Sequence, residues 1–407
     1  MVKTFNSCRV CKCSVLLPVI DLGVQALQGQ FPEADGPDPI SAPMVVVRCP
    51  ECGLVQTKHS VDGAEQFSNY YYRSSVSSTM RDHLKGVAEE AAAMLKTQTG
   101  ARVLDIGGND GHLLDCIPFG TGVRTLIDPS DVPLVHDGIA RIRGFFPCDM
   151  LLTQKFDLIF SLACFYDVDD PVGFAAAVKK ILTTDGIWVL EVADMFSVLQ
   201  NVAYDYWVHE HVALYSPYTI TKIAQEVGLR VVRMVPNLCN GGSMRYYLTH
   251  QTSDAYHHHK DAAEWNARIG ALWAHARGLN EDSESFVRFA KNVSQSKLML
   301  METIKPILAK GDRIHALGAS TKLNTVLQYC GLNNRMIEAA SDRDPRKVGR
   351  VTPGTRIPIL SEEESRAKNP ALYLTVLSMF KKELVERERA AGNKTPICFA
   401  LPYPEKA

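Results

Sequence analysis

The sequence lacks three features, and each absence excludes a class of protein. No apolar run reaches the roughly 20 residues of a membrane-spanning helix, so we expect no membrane partner. No charge predominates, because 44 basic residues nearly balance 45 acidic ones, and we expect no nucleic-acid partner. No signal peptide opens the chain, which predicts a cytoplasmic protein. We therefore expect a globular monomer, and its 407 residues suffice for two or three domains.

Cysteine is plentiful, with eleven residues, and four of them form two Cys-x-x-Cys pairs. Cys8 pairs with Cys11, and Cys49 pairs with Cys52. Two such pairs supply four thiolates to one tetrahedral zinc ion and leave no open coordination position. The pattern predicts a structural zinc site within residues 1–80, and a redox dithiol is the alternative.

A stretch near residue 100 combines an apolar strand with a glycine loop and a helical pattern. Its polar and glycine residues are Asp105, Gly107, Gly108, Asn109 and Gly111. Such a loop lets a ligand approach the backbone at a helix N-terminus. The Asp-x-Gly-x-x-x-Gly pattern differs from the dinucleotide-binding G-x-G-x-x-G and from the P-loop. It resembles the first motif of class I S-adenosylmethionine (SAM) methyltransferases, so we interpret these five residues as cofactor-binding.

Three further apolar runs, 124–128, 156–161 and 186–192, alternate with helical stretches. This alternation predicts an α/β fold with a doubly wound parallel sheet, which binds ligands at the carboxyl ends of its strands. Asp128 ends the first of these runs, where an acid can accept both hydroxyls of a ribose; a turn acid before a proline is the alternative. The other candidate cofactor contacts are Phe146 and Ala163.

Two histidines flank a glutamate in an aromatic segment, as His209, Glu210 and His211. Histidine is the natural general base near neutral pH, and an adjacent carboxylate can orient it. The rival interpretations are a structural role and a metal site, although His-x-His lacks the spacing of H-E-x-x-H. We predict a base here.

Three tyrosines precede a serine-rich run that leads to Met80. One interpretation is a linker whose hydroxyl caps a helix beginning near Met80. The other is a polar pocket lined by Tyr70, Tyr72 and Ser74. The residues alone do not separate the two.

Asn240, Gly241 and Gly242 open what we expect to be an edge strand of the same sheet. Paired glycines permit close approach of the backbone to a ligand. Asn240 and Gly241 are therefore candidate substrate contacts.

A second strand–loop–helix unit begins with the apolar run 313–317. Small residues, hydroxyls and Lys322 follow at a predicted helix N-terminus, which favours an anion. Asp342 and Lys347 lie in a later charged segment. We predict a second nucleotide-binding lobe that holds a pyrophosphate, and an ordinary charged surface loop is the alternative.

Taken together, these segments resemble the sugar C-methyltransferases, which methylate C3 of a nucleotide-linked 4-keto sugar. The matching marks are the two Cys-x-x-Cys pairs, Met80-Arg81-Asp82-His83, the glycine loop, Glu210-His211, Gly241-Gly242-Ser243, Gly318-Ala319-Ser320-Thr321-Lys322 and Thr352-Pro353-Gly354. The resemblance implies a zinc-binding domain over 1–80, a SAM-binding domain over 81–250 and a Rossmann-like domain over 251–407 that holds the nucleotide.

The resemblance also implies a mechanism and its ligands. A base removes the C3 proton next to the C4 carbonyl, and the enolate attacks the SAM methyl group. His211 is the implied base, with Glu210 beside it and Tyr72 in the cleft. The implied ligands are SAM, a structural Zn²⁺ and a nucleotide-linked keto sugar. The candidate substrate-binding residues are Tyr70, Ser74, Met80, Asn240, Gly241, Lys322, Asn324, Asp342 and Lys347.

The chain departs from family examples around the sugar. Asp167 replaces a histidine, Val208 a tyrosine and Asn240 a histidine, and Ser378 or Met379 stands at a tryptophan position. An O-methyltransferase that acts on a sugar hydroxyl through the same base is therefore a second hypothesis. A non-catalytic scaffold that binds zinc and nucleotide is a third.

Overall fold

Four β-sheets organise the described part of the chain. The computed structural model describes residues 2–67, 70–118, 120 and 122–407. The three larger sheets contain four, seven and six strands. Within these ranges, no helix is both long enough and apolar enough to span a bilayer.

The first part of the chain is a strand-rich module. Its elements are β1 (Val2–Thr4), β2 (Leu17–Ala26), β3 (Ser41–Arg48), β4 (Val55–Thr57), β5 (His59–Val61) and α1 (Gly63–Phe67). β2, β3 and β4 pair antiparallel, and β1 pairs with β5. The four cysteines of the two pairs lie in the loops that precede β2 and β4.

The central part alternates strands and helices. Its elements are α2 (Ser78–Met94), β6 (Arg102–Ile106), α3 (His112–Asp115), β7 (Val123–Asp128), β8 (Ala140–Arg143), α4 (Asp149–Leu152), β9 (Phe156–Leu162), α5 (Pro171–Ile181), β10 (Leu182–Ala193), α6 (Met195–Gln200), β11 (Ala213–Leu214), α7 (Pro217–Val227), β12 (Leu229–Asn237) and β13 (Ser243–His250). The Ser77 side chain caps α2 by accepting a hydrogen bond from the Met80 amide at 3.4 Å. The capping interpretation of the serine-rich run is therefore confirmed.

The seven strands lie in the order β12-β13-β10-β9-β6-β7-β8, with β10, β9, β6, β7 and β8 parallel. Both faces of this sheet are covered. On β6, Val103 packs into the core that contains Val87 of α2, whereas Leu104 packs into the core that contains Phe174 of α5. Alternate residues of a strand point to opposite faces, so this division confirms the doubly wound sheet.

The prediction that Asn240 and its glycines open an edge strand is wrong. β13 lies between β12 and β10 and pairs antiparallel with both. The outer strand is β12, which the sequence analysis did not predict. The backbone of β13 forms hydrogen bonds with an antiparallel neighbour on each side, so β13 is an inner strand. Asn240 and its glycines therefore lie at one end of an inner strand and not along an open edge of the sheet.

The N-terminal module is completed by a strand from the central part. β11 pairs antiparallel with β4, which gives the four-stranded order β11-β4-β3-β2. Residues 1–80 therefore do not close this sheet by themselves. The segment that carries Glu210 and His211 leads directly into β11, so the module holds the end of that segment.

The last part of the chain contains two long helices and a second α/β unit. Its elements are α8 (Ala262–Glu281), α9 (Ser283–Ala309), β14 (Ile314–Leu317), α10 (Thr321–Cys330), β15 (Ala339–Asp342), β16 (Ile359–Ser361), α11 (Glu362–Ala367), β17 (Leu372–Thr375), α12 (Lys381–Ala390), β18 (Ile397–Phe399) and β19 (Glu405–Lys406). The strand order is β16-β15-β14-β17-β18-β19, and all strands but β19 are parallel. Strand order reverses between β14 and β17, which is where such sheets bind ligands.

Candidate active site

The structure brings the four predicted zinc ligands together. Their sulfur atoms all lie within 4.8 Å of one another, and the Sγ atoms of Cys8 and Cys52 are 3.4 Å apart. Each pair forms a tight turn, in which Lys12 N donates to Cys8 O and Gly53 N donates to Cys49 O. Four converging thiols of this geometry fit one tetrahedral zinc ion. The redox alternative has less support, because both pairs share one cluster.

The zinc module also contacts the central domain. The backbone amide of His209 donates to Gln28 Oε1 at 3.1 Å, and His209 Nδ1 lies 2.7 Å from the same oxygen. Arg9, which lies inside the first cysteine pair, contacts Asp169 at 3.3 Å. The module therefore holds both the histidine segment and the loop after β9.

The glycine loop after β6 has no room for side chains at two positions. A Cβ on Gly107 would lie 2.8 Å from the Cys164 Cβ, and one on Gly108 would lie 2.7 Å from Asp105 Oδ2. Gly107 and Asn109 also have positive φ angles, of 73° and 53°. The close packing and the positive φ angles explain why the loop needs glycine at these two positions, as the sequence pattern predicts.

Three carboxylates converge on this loop. Asp105, Asp110 and Asp128 are all buried. Burial, followed by the charges of Asp128 and Asp110, raises the pKa of Asp105 to about 8. A ligand that brings positive charge would relieve this repulsion. SAM carries a sulfonium and an ammonium group, so these three carboxyl groups fit it.

Asp128 is held in place for a second contact. Its Oδ2 accepts from the Asn109 amide at 2.9 Å, and its Oδ1 accepts from the Ser130 amide at 2.9 Å. Oδ1 also accepts from the Ser130 hydroxyl at 2.5 Å, whereas Oδ2 keeps a lone pair that can accept a ribose hydroxyl.

The other two predicted cofactor contacts differ in their surroundings. Ala163 has a φ of 55° and directly follows β9 beside the glycine loop, where the next residue, Cys164, donates to Ile106 O at 3.1 Å. Phe146 is half-buried and packs edge-on against Phe174, with ring centroids 4.9 Å apart. Ala163 therefore lines the loop, whereas one edge of Phe146 is committed to the core.

We expect the substitution Asp128→Ala to weaken SAM binding by roughly 10- to 100-fold, because hydrogen bonds to a charged group contribute about 1.5–3 kcal/mol. Titration calorimetry with SAM measures the effect. Asp131→Ala is the matched control, since Asp131 is an exposed acid in the same loop. If both variants bind SAM like the parent chain, Asp128 does not belong to the site.

His211 is oriented as a neutral base. Its Nδ1 lies 2.7 Å from the backbone oxygen of Tyr206, so Nδ1 carries the proton and Nε2 carries the lone pair. The rings of Tyr166 and Tyr206 pack against the imidazole, with centroids 4.4 and 4.8 Å away. Burial lowers the pKa of His211 to about 3, against a smaller opposing effect of the Tyr206 carbonyl, so the imidazole is neutral at pH 7.

Glu210 does not orient His211, contrary to the sequence interpretation. The Tyr206 carbonyl performs that role, and the Glu210 side chain lies against the N-terminal module instead. A Cβ on Gly29 would come within 2.2 Å of Glu210 Oε1, so only glycine leaves room for the carboxyl group. Burial raises the pKa of Glu210 to about 7. Glu210 stays a predicted site residue, with a contact other than the expected one.

The tyrosine run crosses the cleft beside the glycine loop. Asn109 Nδ2 donates to Tyr72 O at 3.1 Å, and Asn109 Oδ1 accepts from the Ser74 amide at 3.0 Å. The Tyr70 ring packs against Phe67 and Tyr72, at centroid distances of 5.4 and 6.5 Å. The run is therefore both the lead-in to α2 and a wall of the site.

The second α/β unit contributes cations to the same region. Lys322, in the first turn of α10, donates to Asn240 O at 3.3 Å and so joins the two sheets across the cleft. Lys347 Nζ contacts Asp342 Oδ2 at 3.1 Å and Ala319 O at 2.8 Å. These groups lie at the carboxyl ends of β14 and β15, as the anion-site interpretation expects.

Two predicted substrate contacts have buried surroundings in this structure. Met80 is buried in the core between α2 and the sheet, where its side chain packs with other apolar groups. Asn324 is fully buried, and its amide donates to Gln28 O at 2.8 Å. Asn324 therefore joins α10 to the N-terminal module. Gly241 keeps an open approach, since a Cβ there would meet nothing within 4 Å.

The structure contains a buried ionic network that the sequence did not predict. His83 Nε2 lies 2.6 Å from Glu191 Oε1, and Arg245 Nε lies 2.8 Å from Glu191 Oε2. Cys239 lies close enough to His83 and Glu191 for their ligand atoms to fall within 4.8 Å of one another. An acid inside the apolar strand β10 was the available signal, because such an acid needs a buried partner.

Comparisons with known proteins cover the chain in three segments. Residues 8–67 match a family model described as "Putative zinc binding domain", residues 77–234 match "Methyltransferase domain" and residues 238–402 match "C-methyltransferase C-terminal domain". The C-methyltransferase NovU of Streptomyces niveus is 26% identical over 420 aligned residues, which span 100% of this chain and 97% of NovU.

Solved structures overlay on a smaller part of the chain. The mitomycin 7-O-methyltransferase MmcR is 20% identical, with a TM-score of 0.33, over 42% of this chain and 54% of its own. The O-methyltransferase NcsB1 of neocarzinostatin biosynthesis is 18% identical, with a TM-score of 0.34, over 42% of this chain and 56% of its own.

The family matches and the structure agree on the cofactors. The segment that matches the zinc-binding model contains the four clustered cysteines. The segment that matches the methyltransferase model contains the glycine loop and the three buried carboxylates. The predictions of SAM and of structural zinc are confirmed.

Proposed function

Because this chain belongs to the SAM-dependent C-methyltransferases, we propose that it methylates C3 of a nucleotide-linked 4-keto sugar through an enolate. Carbon is a poor nucleophile unless a base removes a proton from it, and a neighbouring carbonyl acidifies that proton. The observation that carries the proposal is the state of His211. Its Nε2 has a free lone pair because Nδ1 donates to the Tyr206 carbonyl.

His211 takes the C3 proton at Nε2 in this mechanism. The imidazolium that forms is stabilised by the Tyr206 carbonyl, which accepts from Nδ1 in both protonation states. The two tyrosine rings against the imidazole fix its plane and exclude water from its faces. The low pKa of His211 keeps it unprotonated before the reaction, so no competing proton must leave first.

The glycine loop and its carboxylates would hold the cofactor. SAM, when bound, would supply an electrophilic methyl group. Asp105 and Asp110 would provide negative charge for its cationic groups, and Asp128 Oδ2 would provide an acceptor for its ribose. Asn109 donates a hydrogen bond to the backbone of Tyr72, so the cofactor-binding loop is joined directly to the tyrosine run.

The nucleotide part of the substrate is assigned to the second α/β unit. The loop after β14 includes Gly318, where a Cβ would lie 2.6 Å from Leu377 Cδ1, so the backbone approaches closely at the point where strand order reverses. Lys322 and Lys347 lie at this edge, and a diphosphate needs such charges. The contact between Lys322 and Asn240, and the effect of the Lys322 charge on His211, support a position of the sugar near the histidine segment.

Exchange in deuterated water tests the proposal. The protein is incubated with dTDP-, UDP-, GDP- and CDP-linked 4-keto-6-deoxyhexoses, first without SAM and then with it. We expect deuterium at C3 in at least one sugar without SAM, and a methyl group on the same carbon with SAM. Methylation of a hydroxyl on a sugar that lacks a keto group, with no exchange at C3, would contradict the proposal and favour O-methylation.

A further inference from the structure

A carboxyl group beside the proposed base has no assigned role. Asp167 ends the short turn Phe165–Asp167 after β9. Its Oδ1 is completely buried and has no hydrogen-bond partner among the described residues. The preceding residue, Tyr166, packs against the His211 ring at 4.4 Å, and its carbonyl accepts from the Val212 amide at 2.9 Å. Asp167 therefore directly follows a residue that contacts the ring of His211.

The surroundings of Asp167 are apolar or acidic. The ionisable groups that interact with it are Tyr70, Cys164, Tyr166, Tyr206, Glu210 and Tyr215. Lysine and arginine are missing from this set, which covers only the described part of the chain. Burial, and then the charge of Glu210, raises the pKa of Asp167 well above its ordinary value.

Two buried carboxyl groups without a cation cannot both ionise at low cost, so the pair retains a proton near neutral pH. Glu210 is itself only 7% exposed. A protonated carboxyl group is a hydrogen-bond donor, whereas an ionised one only accepts. Since Asp167 Oδ1 has no partner among the residues that the structure describes, a proton on this oxygen remains available to a ligand.

We propose that the unpartnered Asp167 carboxyl group donates a hydrogen bond to the carbonyl oxygen of the substrate and stabilises the enolate. This inference rests on the proposed function and adds a second catalytic group to it. His211 removes the proton from C3, and Asp167 stabilises the negative charge that develops on the carbonyl oxygen.

The step balances without a further reactant. His211 Nε2 takes the proton from C3, the electron pair of the C–H bond forms the C3–C4 double bond, and the carbonyl π pair moves to oxygen. The Asp167 O–H hydrogen bond shortens as charge grows on that oxygen. When C3 takes the methyl group, the S–CH₃ bond of the sulfonium breaks and its electron pair stays on the departing thioether sulfur. The carbonyl re-forms, the proton remains with Asp167, and His211 releases its proton to solvent.

Two substitutions at one position test the donor. Asp167→Ala removes it and is expected to lower the rate of deuterium exchange at C3 by about 10²–10³-fold. Asp167→Asn keeps an N–H donor of similar shape and is expected to lose at least tenfold less. If the asparagine variant loses as much as the alanine variant, Asp167 acts as an anion or only as structure, and the inference is wrong.

The pH profile gives a second readout. The donor exists only while the pair holds its proton, so exchange by the parent chain should fall as pH rises through the apparent pKa of the pair. Asp167→Asn should remove this alkaline limb. A limb that is unchanged in the asparagine variant would overturn the assignment.

Infrared spectroscopy separates failure of the inference from failure of the proposed function. A protonated carboxyl group has a C=O stretch distinct from that of a carboxylate, and we expect this band at neutral pH in the difference spectrum of the parent chain minus Asp167→Asn. The band requires no substrate. No exchange by the parent chain on any sugar would reject the proposed function, whereas exchange without the band would reject only the role of Asp167.

Discussion

Replacing His211 by asparagine is expected to slow deuterium exchange and methyl transfer by about 10²–10⁴-fold, the usual contribution of a general base. Asparagine can still donate to the Tyr206 carbonyl, so the segment should keep its conformation. It lacks the basic Nε2 lone pair that accepts the proton. The dissociation constant for SAM should not change, because its predicted contacts lie on the glycine loop.

The controls separate loss of the base from loss of the fold. His136→Asn is the matched variant, because His136 lies on an exposed loop, where it pairs with Asp115 at 3.1 Å. It should retain turnover, SAM affinity and melting temperature. Turnover of His211→Asn within a few-fold of the parent chain would show that another group removes the proton.

The pH dependence of folding stability gives a further check on the protonation state of His211. Burial lowers its pKa to about 3, below the ordinary value for histidine, so it stays neutral from neutral pH down through mildly acidic pH. The unfolded chain takes up a proton at this histidine near pH 6.5. Folding stability from His211 is therefore present above that pH and is lost as pH falls below it.

The elements that the sequence predicted well are those whose chemistry is local. The glycine loop needs positive φ angles and space within a few residues, and these needs dictate its composition. The two cysteine pairs are each a single turn, and zinc chemistry brings the pairs together. Ser77 caps α2 through a contact three residues along the chain.

The elements that it missed depend on contacts between distant segments. Asn324 resembles a substrate contact because it follows Lys322 at a helix N-terminus, but its partner, Gln28, lies 296 residues earlier. Glu210 stands next to His211, yet the shape of its pocket is set by Gly29 of the N-terminal module. Neither partner can be read from spacing, since each arises when separate sheets pack together.

Because the N-terminal module packs against the histidine segment, loss of zinc is the second change from which we expect a large effect. Cys49→Ser should eliminate bound zinc and unfold the N-terminal module, because structural zinc contributes about 10–16 kcal/mol while whole domains are stable by about 5–15 kcal/mol. Metal analysis of the purified protein should show zinc falling from one ion per chain to none. Thermal unfolding should then begin at a lower temperature.

Catalysis should be lost with the module although the cysteines lie outside the cleft. Gln28 holds the amide and Nδ1 of His209, and β4 of the module pairs with β11 immediately after His211. Without these contacts the base loses its position, whereas the glycine loop belongs to the seven-stranded sheet and should still bind SAM. Cys13→Ser, which changes a neighbouring cysteine outside the cluster, should keep zinc and turnover. Full zinc content in Cys49→Ser would refute the four-cysteine site, and normal exchange in a zinc-free variant would show that His211 is positioned without the module.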